Sequence, residues 1–149
     1  MTGTMDDKAP NPQAWAARLR DFVQDCVAST PCEELQRVRE AALLFQRDGA
    51  GGVDPVVLEA MLACGAAESA VLALIGPEAV FMLSRGGSST CLVTMIVTDG
   101  PDGPDGVEEV AAEGSTLALA LLAAYATGLL TGFDRNGPTP FQRPTSRLH

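Results

Sequence analysis

The sequence predicts an α+β fold in which an N-terminal helical hairpin precedes a small three-stranded antiparallel sheet covered by helices. Apolar residues recur at helical spacing through the first half of the chain, up to Ile75. After Gly76-Pro77 the apolar period changes to two, which is typical of strands. A charge-free helical segment, Leu117 to Leu130, follows the last predicted strand. The second half therefore has the order α-β-β-β-α.

The first predicted helix begins at Asn11, a favourable N-cap residue with Pro12 in the first helical position. Ser29-Thr30-Pro31 ends this helix and starts the next one. The apolar residues of this first helix recur at helical spacing and form one stripe, made of Trp15, Leu19, Phe22, Val23 and Cys26. Residues 1–10, which precede it, are predicted to form a flexible tail.

The second predicted helix begins at Thr30, which has the spacing of a capping box with Glu33. The glycine cluster Gly49 to Gly52 follows its end. Its apolar stripe consists of Leu35, Val38, Ala42 and Phe45. Residues 11–52 are therefore predicted to form the helical hairpin.

A third helical pattern opens at Asp54-Pro55, is interrupted at Gly65 and resumes up to Ile75. Three strands follow, separated by glycine-rich turns: Val80–Ser84, Cys91–Thr98 and Val107–Ala112. With the charge-free helix, these elements define a predicted domain over residues 53–131. Residues 132–149 contain prolines at positions 138, 140 and 144, so we expect an irregular C-terminal tail.

The charge distribution restricts the classes of partner. The chain of 149 residues has a net charge of −9, which repels phosphate polymers and anionic membranes. Between Arg85 and Arg135 there is no lysine or arginine, although this stretch contains two of the three predicted strands and the charge-free helix. A nucleic-acid interface must offer cations to phosphate, so we expect no direct nucleic-acid binding. A basic protein is the partner that an acidic surface suits best.

The cysteine and histidine content argues against several kinds of site. The four cysteines contain no CxxC pair, and His149 is the only histidine, so neither a zinc site nor any cofactor is expected. Cys26 and Cys32 flank the turn between the first two helices, with no histidine or basic neighbour in evidence to lower the pKa of either thiol, and we interpret them as buried structural thiols. Enzymatic activity is therefore not expected, although chemistry by carboxylates alone stays open. The N-terminal residues show no apolar signal segment, which favours a cytoplasmic protein.

Two segments invite more specific interpretations. The repeat from Asp99 to Gly106 spaces its acids three residues apart, whereas a calcium loop spaces them two apart, so a solvated acidic loop is the better interpretation. The charge-free run from Gly114 to Phe133 is about 20 residues long, which approaches the length of a membrane span. Its many alanines, glycines and threonines favour instead a core helix that lies on the sheet.

Two exposed segments are the candidate partner-binding sites. The first is the acidic loop and the start of the third strand, and the second is the proline-rich C-terminal segment, where an aromatic anchor stands beside arginines. The candidate partner-binding residues are Asp99, Asp102, Asp105, Glu108, Glu109, Phe141 and Arg143. The alternatives are a solubilising loop at a hairpin end and a loose chain end.

The second half of the chain has two resemblances to known protein families. The order helix, three strands, helix from about Ala66 to Leu130 is similar to the topology of a double-stranded RNA-binding domain. That family grips phosphate with lysines at the start of the last helix, where this chain has Ser115-Thr116-Leu117-Ala118. The resemblance therefore implies the topology without the binding chemistry.

Residues 66–131 also resemble small uncharacterised proteins encoded by phages and prophages of proteobacteria. The resemblance lies in a leucine-rich helix that ends at a proline, and in an acidic Gly-Ser-Thr junction before the last helix. The matching runs are Val71-Leu72-Ala73-Leu74-Ile75-Gly76-Pro77 and Glu113-Gly114-Ser115-Thr116-Leu117-Ala118-Leu119-Ala120. It implies an accessory binding protein and no particular reaction.

These observations favour a non-enzymatic, acidic, protein-binding module. It would act as a phage-encoded regulator or inhibitor of a basic host protein that handles nucleic acid. Two alternatives remain open, namely a small acidic secretion or assembly chaperone that acts as a dimer, and an enzyme that uses carboxylates alone. A homodimer is compatible with the first function as well.

Overall fold

The computed structural model describes residues 11–45, 53–77, 79–85, 90–97 and 108–135. The predictions for the N-terminal tail, for the glycine cluster, for the acidic repeat and for the segment from Asn136 onwards lie outside the described residues. Within them the chain has the predicted α+β architecture, with helices first, then an antiparallel sheet, then a last helix.

The first helix, α1, spans Pro12–Ala28. Its N-cap is the predicted one, because the Asn11 side chain accepts a hydrogen bond of 2.8 Å from the Gln13 backbone N–H. After Ser29 a short 3-10 turn, Pro31–Glu33, leads into the second helix, α2, over Glu34–Leu44. The predicted capping box is present, since the Glu33 carboxylate accepts the backbone N–H of Thr30 at 2.8 Å.

The third predicted helical pattern forms two helices, α3 over Pro55–Ala63 and α4 over Ala67–Ile75. The break falls at Gly65, whose φ of 77° lies in the left-handed region that favours glycine. Gly76 ends α4 with a φ of 89°, which turns the chain towards the sheet. The two positive-φ glycines thus explain why a continuous apolar pattern yields two short helices and a sharp exit.

The sheet consists of β1 over Val80–Arg85, β2 over Cys91–Val97 and β3 over Glu108–Gly114. The strands are antiparallel in the order β1-β2-β3, so β1 and β3 are the two edges. The third strand is longer than the predicted Val107–Ala112 segment at its C-terminal end, because its pairing with β2 continues until Gly114 lies opposite Cys91.

The last helix, α5, spans Leu117–Arg135 and continues for five residues beyond the predicted end at Leu130. Thr116 caps it, because the Thr116 hydroxyl accepts the backbone N–H of Leu119 at 3.1 Å. It packs mainly against β2 and β3, and every residue from Ala118 to Ala124 is buried. The prediction that Leu121 and Leu122 are buried is confirmed. In the part of the chain that the structure describes, no helix is long and apolar enough to cross a membrane.

The N-terminal helices pack onto α5. Helix α1 packs mainly against α5 and also contacts β3, while α2 and α4 contact α5 and each other. Aromatic edge contacts join these layers, because Phe45 lies 5.9 Å from Phe22 and 5.0 Å from Tyr125 between ring centroids. The Trp15 indole N–H donates to the Leu44 carbonyl at 3.0 Å, and its ring meets Phe133. This ring contact lies within the part of α5 that continues beyond the predicted end.

Polar side chains fasten the opposite end of α5 to the connection between α1 and α2. The Ser115 hydroxyl donates to the Ser29 carbonyl at 2.9 Å, and the Thr116 hydroxyl donates to the Glu34 carboxylate at 2.6 Å. Arg37 donates to the hydroxyl of the buried Ser29 and pairs with Glu40 at 2.8 Å. Both ends of α5 are therefore fixed, and the face of the sheet under this helix is filled by the core.

Candidate functional site

The predicted partner-binding residues fall largely outside the described residues. Five of them lie outside the described residues: Asp99, Asp102, Asp105, Phe141 and Arg143. The two that the structure places, Glu108 and Glu109, are exposed at the start of β3. They are neighbours in an extended strand, so their side chains leave on opposite faces of the sheet. The interpretation of both Cys26 and Cys32 as buried thiols is wrong for Cys32, which is exposed in the 3-10 turn.

The two faces of the sheet differ in how far their side chains are buried, and β2 shows this difference most clearly. Cys91, Val93 and Met95 are buried, and they share the face on which α5 packs. The alternate residues of β2, beginning with Leu92, point to the opposite face, which we call the outer face. The register places its side chains in three rows across the sheet: Val80–Ile96–Glu109, Met82–Thr94–Ala111 and Ser84–Leu92–Glu113.

Large apolar side chains on the outer face are accessible to solvent. The exposed fraction is 60% for Val80, 67% for Met82 and 42% for Leu92. The helices that the structure describes pack against the inner face or against one another. Single exposed apolar residues are common on protein surfaces, but a contiguous group on one sheet face is typical of a binding surface.

Charge is distributed unevenly across the outer face. The acids Glu109 and Glu113 both stand on β3 at one side of the face. β1, at the other side, contains neither aspartate nor glutamate, and its single charged residue is Arg85 at the end of the strand. The outer face therefore changes from acidic at β3 to apolar at β1.

β1 is also accessible on its inner face, because α5 packs mainly over the other two strands. Phe81 packs partly against the core, but Leu83 on the same side of the strand is 44% exposed. Within the described residues β1 pairs with β2 alone, so the backbone N–H and C=O groups of its other edge have no strand partner there. We refer to this strand edge as the β1 edge.

Burial shifts the pKa of two side chains in the described part of the chain. Burial raises the pKa of the Cys26 thiol to about 12, and this outweighs the opposing influence of the nearby Arg37 cation. Burial likewise raises the pKa of Tyr125. Among the described residues, no three of the histidine, cysteine, aspartate and glutamate side chains lie close enough together to hold a metal ion.

A groove of about 330 Å³ between α1 and α2 is the second notable surface feature. Leu43, which is 77% exposed, stands at its margin. Phe22 and Leu44 give the groove an apolar floor, and its charged rim consists of Arg18, Asp21, Asp25 and Glu40. The groove thus combines an apolar floor with mixed charge, whereas the outer face joins an apolar area to a free strand edge.

Sequence reasoning missed the outer-face residues because it assigned the strands to the core without deciding which face was covered. One signal was nevertheless available. Val80, Phe81, Met82 and Leu83 are four consecutive apolar residues, so both faces of the first strand had to be apolar. The sequence did not show which of these two faces the helices would leave uncovered.

Comparisons of the chain with protein-family models, with curated proteins and with solved structures gave no match.

Proposed function

We propose that this chain is an acidic, non-enzymatic, protein-binding module that recruits a basic protein through the outer face of its sheet. In this proposal it acts in the cytoplasm as a regulator or inhibitor of its partner. The resemblance to phage and prophage proteins supports the further proposal that the partner is a host protein that handles nucleic acid. The absence of lysine and arginine between Arg85 and Arg135 favours contact with that protein over contact with the nucleic acid itself.

The observation that carries the proposal is the exposed apolar group Val80, Met82 and Leu92 on the outer face, in a sheet whose inner face is filled by the core at β2 and β3. Burial of apolar surface stabilises association by about 25 cal/mol for each Å² removed from water. Three large side chains on a rigid strand framework can supply the apolar centre of an interface without a change in backbone conformation.

Glu109 and Glu113, together with the net charge of −9, give this surface a preference for a basic partner. Complementary charge at the rim of an interface accelerates association and suppresses wrong partners more than it increases affinity. We therefore assign affinity to the apolar group and selectivity to the acids on β3.

The test first identifies the protein that co-purifies with the chain from its native host. It then measures how much of that protein two triple variants retain. The first variant, V80S/M82S/L92S, removes the apolar group of the outer face. The matched control, L43S/V56S/L72S, removes three large apolar residues that are exposed on the helices. We expect the first variant to lose the partner and the control to retain it, with both as folded as the parent. Equal retention by both variants, or equal loss, would contradict the assignment to the outer face.

The acidic contribution is tested on the identified partner by E109Q/E113Q. This substitution should slow association severalfold at low salt while leaving the dissociation rate nearly unchanged. The difference from the parent should shrink at high salt, because charges at an exposed rim are screened there. Association rates that do not change at any salt concentration would leave β3 without the role that we assign to it.

A further inference from the structure

The groove between α1 and α2 has an apolar floor that is accessible to solvent. Phe22 and Leu44 form this floor. None of the large apolar residues that the structure describes is more exposed than Leu43 at the margin of the groove, with 77%. The volume of about 330 Å³ lies at the lower end of the range of ligand pockets, about 300–1,000 Å³. An aromatic side chain that entered this groove would therefore gain apolar contact.

The rim of the groove is acidic. It contains three acids, Asp21, Asp25 and Glu40, and one cation, Arg18. Glu40 pairs with Arg37, whereas no ion pair within the described residues joins Asp21 or Asp25 to a cation, and both are exposed. These two aspartates lie one helical turn apart on α1, where like charges repel each other. The rim therefore favours a basic occupant.

One segment of the chain itself has this charge. Among the stretches outside the described residues, only residues 136–149 have a positive formal charge, because they contain Arg143 and Arg147 and neither aspartate nor glutamate. The other stretches are neutral or acidic, namely residues 1–10, 46–52, 78, 86–89 and 98–107. The same segment contains one aromatic residue, Phe141, two positions before Arg143. It thus combines an apolar anchor with the cations that the rim favours.

The end of α5 lies beside the groove. The Phe133 ring in the last turn of α5 is 6.3 Å from the Trp15 ring, and the Trp15 indole N–H donates to the carbonyl of Leu44 in the groove floor. Six residues lead from Arg135, the last residue of α5, to Phe141. An extended chain of that length spans about 20 Å. The segment is therefore long enough to bring Phe141 into the groove.

We propose that residues 136–149 dock into the α1–α2 groove of the same molecule, with Phe141 on the apolar floor and Arg143 beside Asp21 and Asp25. Away from the end of α5, the segment presents its aromatic residue before its cations, and the groove presents Leu44 before Asp25. Phe141 and Arg143 thereby have an intramolecular role in place of the partner contact that the sequence predicted. The proposal does not depend on the proposed function, because the groove lies on α1 and α2 and leaves the outer face free.

Disulfide formation in the purified full-length chain tests this contact, with the exposed thiols removed by C32S/C64S. F141C is combined with L43C at the groove or with L72C on α4 as the matched control, since both leucines are exposed. Dividing the rate of ring closure by the rate at which glutathione disulfide reacts with each helix thiol gives an effective concentration that is corrected for exposure. We expect this effective concentration to be at least about tenfold higher at position 43 than at position 72.

Two outcomes of this measurement would overturn the proposal. Equal effective concentrations at the two positions would leave the groove to a basic segment of another protein. Disulfides that form between two chains, and not within one, would show that the segment reaches a second copy.

A charge exchange tests the role of the rim in the L43C/F141C protein. D21K/D25K should lower the effective concentration severalfold at low salt, because the rim then repels Arg143 and Arg147. Adding R143E/R147E to D21K/D25K should restore most of the loss, since opposite charges then face each other again. An effective concentration that D21K/D25K leaves unchanged would contradict the proposed contact. A loss that the exchange does not restore would also contradict it, since the lysines would then act on the groove and not on the segment.

Discussion

The two edge strands of the sheet differ in charge and in cover. β3 contains Glu108, Glu109 and Glu113, lies under α5 and is also contacted by α1. β1 has no acid, lies largely outside the area that α5 covers, and exposes Val80 and Met82 to solvent. The acids and helices at β3 are the usual means by which an edge is kept from pairing. Their absence at β1 indicates which side of this molecule remains available to another polypeptide.

The comparison extends to the two faces of each strand. Apolar residues on the inner face stabilise the fold, because α5 removes them from water. Apolar residues on the outer face of the same strands contribute little to the isolated fold, so their presence there needs another explanation. Equivalent substitutions on the inner and the outer face should therefore have very different effects on the free energy of unfolding.

The largest difference is expected for a buried charge. L122D places an unpaired carboxylate among the buried residues of α5 and should destabilise the fold by several kcal/mol, enough to prevent folding. M82D introduces the same group at an exposed position on β1 and should leave thermal stability within about 0.5 kcal/mol of the parent. Expression, circular dichroism and thermal unfolding decide between these outcomes. A soluble and stable L122D would contradict the placement of α5.

The next difference concerns the two faces of β2. M95A removes a buried side chain that faces α5, and it should cost about 2–5 kcal/mol of unfolding free energy. L92A removes an exposed side chain three residues away on the outer face and should change stability by less than about 0.5 kcal/mol. Urea unfolding of both variants measures the two values. Similar losses would show that the outer face is also packed in the native protein.

A glycine pair tests how closely α5 approaches β3. A Cβ atom at Gly114 would lie 2.7 Å from the backbone nitrogen of Ala120, so G114A should destabilise the protein by about 1–3 kcal/mol. Gly132 lies within α5 and a Cβ atom there would meet nothing within 4 Å, so G132A should stabilise the fold by about 0.5–1 kcal/mol. A denaturant titration measures the unfolding free energy of each variant, and the two changes from the parent should have opposite signs. A neutral G114A would mean that the junction is looser than the structure shows.

The smallest effect is a pH dependence that arises from Cys26. Its pKa is about 12 in the folded chain and 9.0 in the reference state, so only the unfolded chain loses this proton just above pH 9. The contribution of the neutral buried thiol is therefore fully present below pH 9. By pH 10 it should fall by about 1.4 kcal/mol. C26A should lack this part of the alkaline decline, and C32A, which alters an exposed thiol, should retain it. An identical decline in C26A and the parent would assign the effect to other groups.

Local sequence signals determined much of this fold. Asn11 and the Thr30–Glu33 pair identify the helix starts, and Gly65 and Gly76 identify the turns that their positive φ angles require. The change of apolar period after Gly76 predicts the first strand correctly. These features depend on residues close together in the chain, which is why they can be found without tertiary information.

The features that the sequence did not reveal depend on long-range contacts. The end of α5 was placed too early, because the contact of Phe133 with Trp15 joins residues at opposite ends of the described chain. The exposure of Cys32 results from the direction of a 3-10 turn. The open side of the sheet depends on where α5 lies across the strands, and an alternating apolar pattern does not contain that information.

We propose above that the outer face of the sheet binds another polypeptide. Photocrosslinking tests it most directly, with a benzophenone amino acid placed at Leu92 on the outer face or at Leu43 on α2, both exposed. In extracts of the native host, the account predicts a discrete protein adduct from position 92, reduced by E109Q/E113Q at low salt, and none from position 43. Adducts from both positions alike, or from position 43 alone, would contradict it.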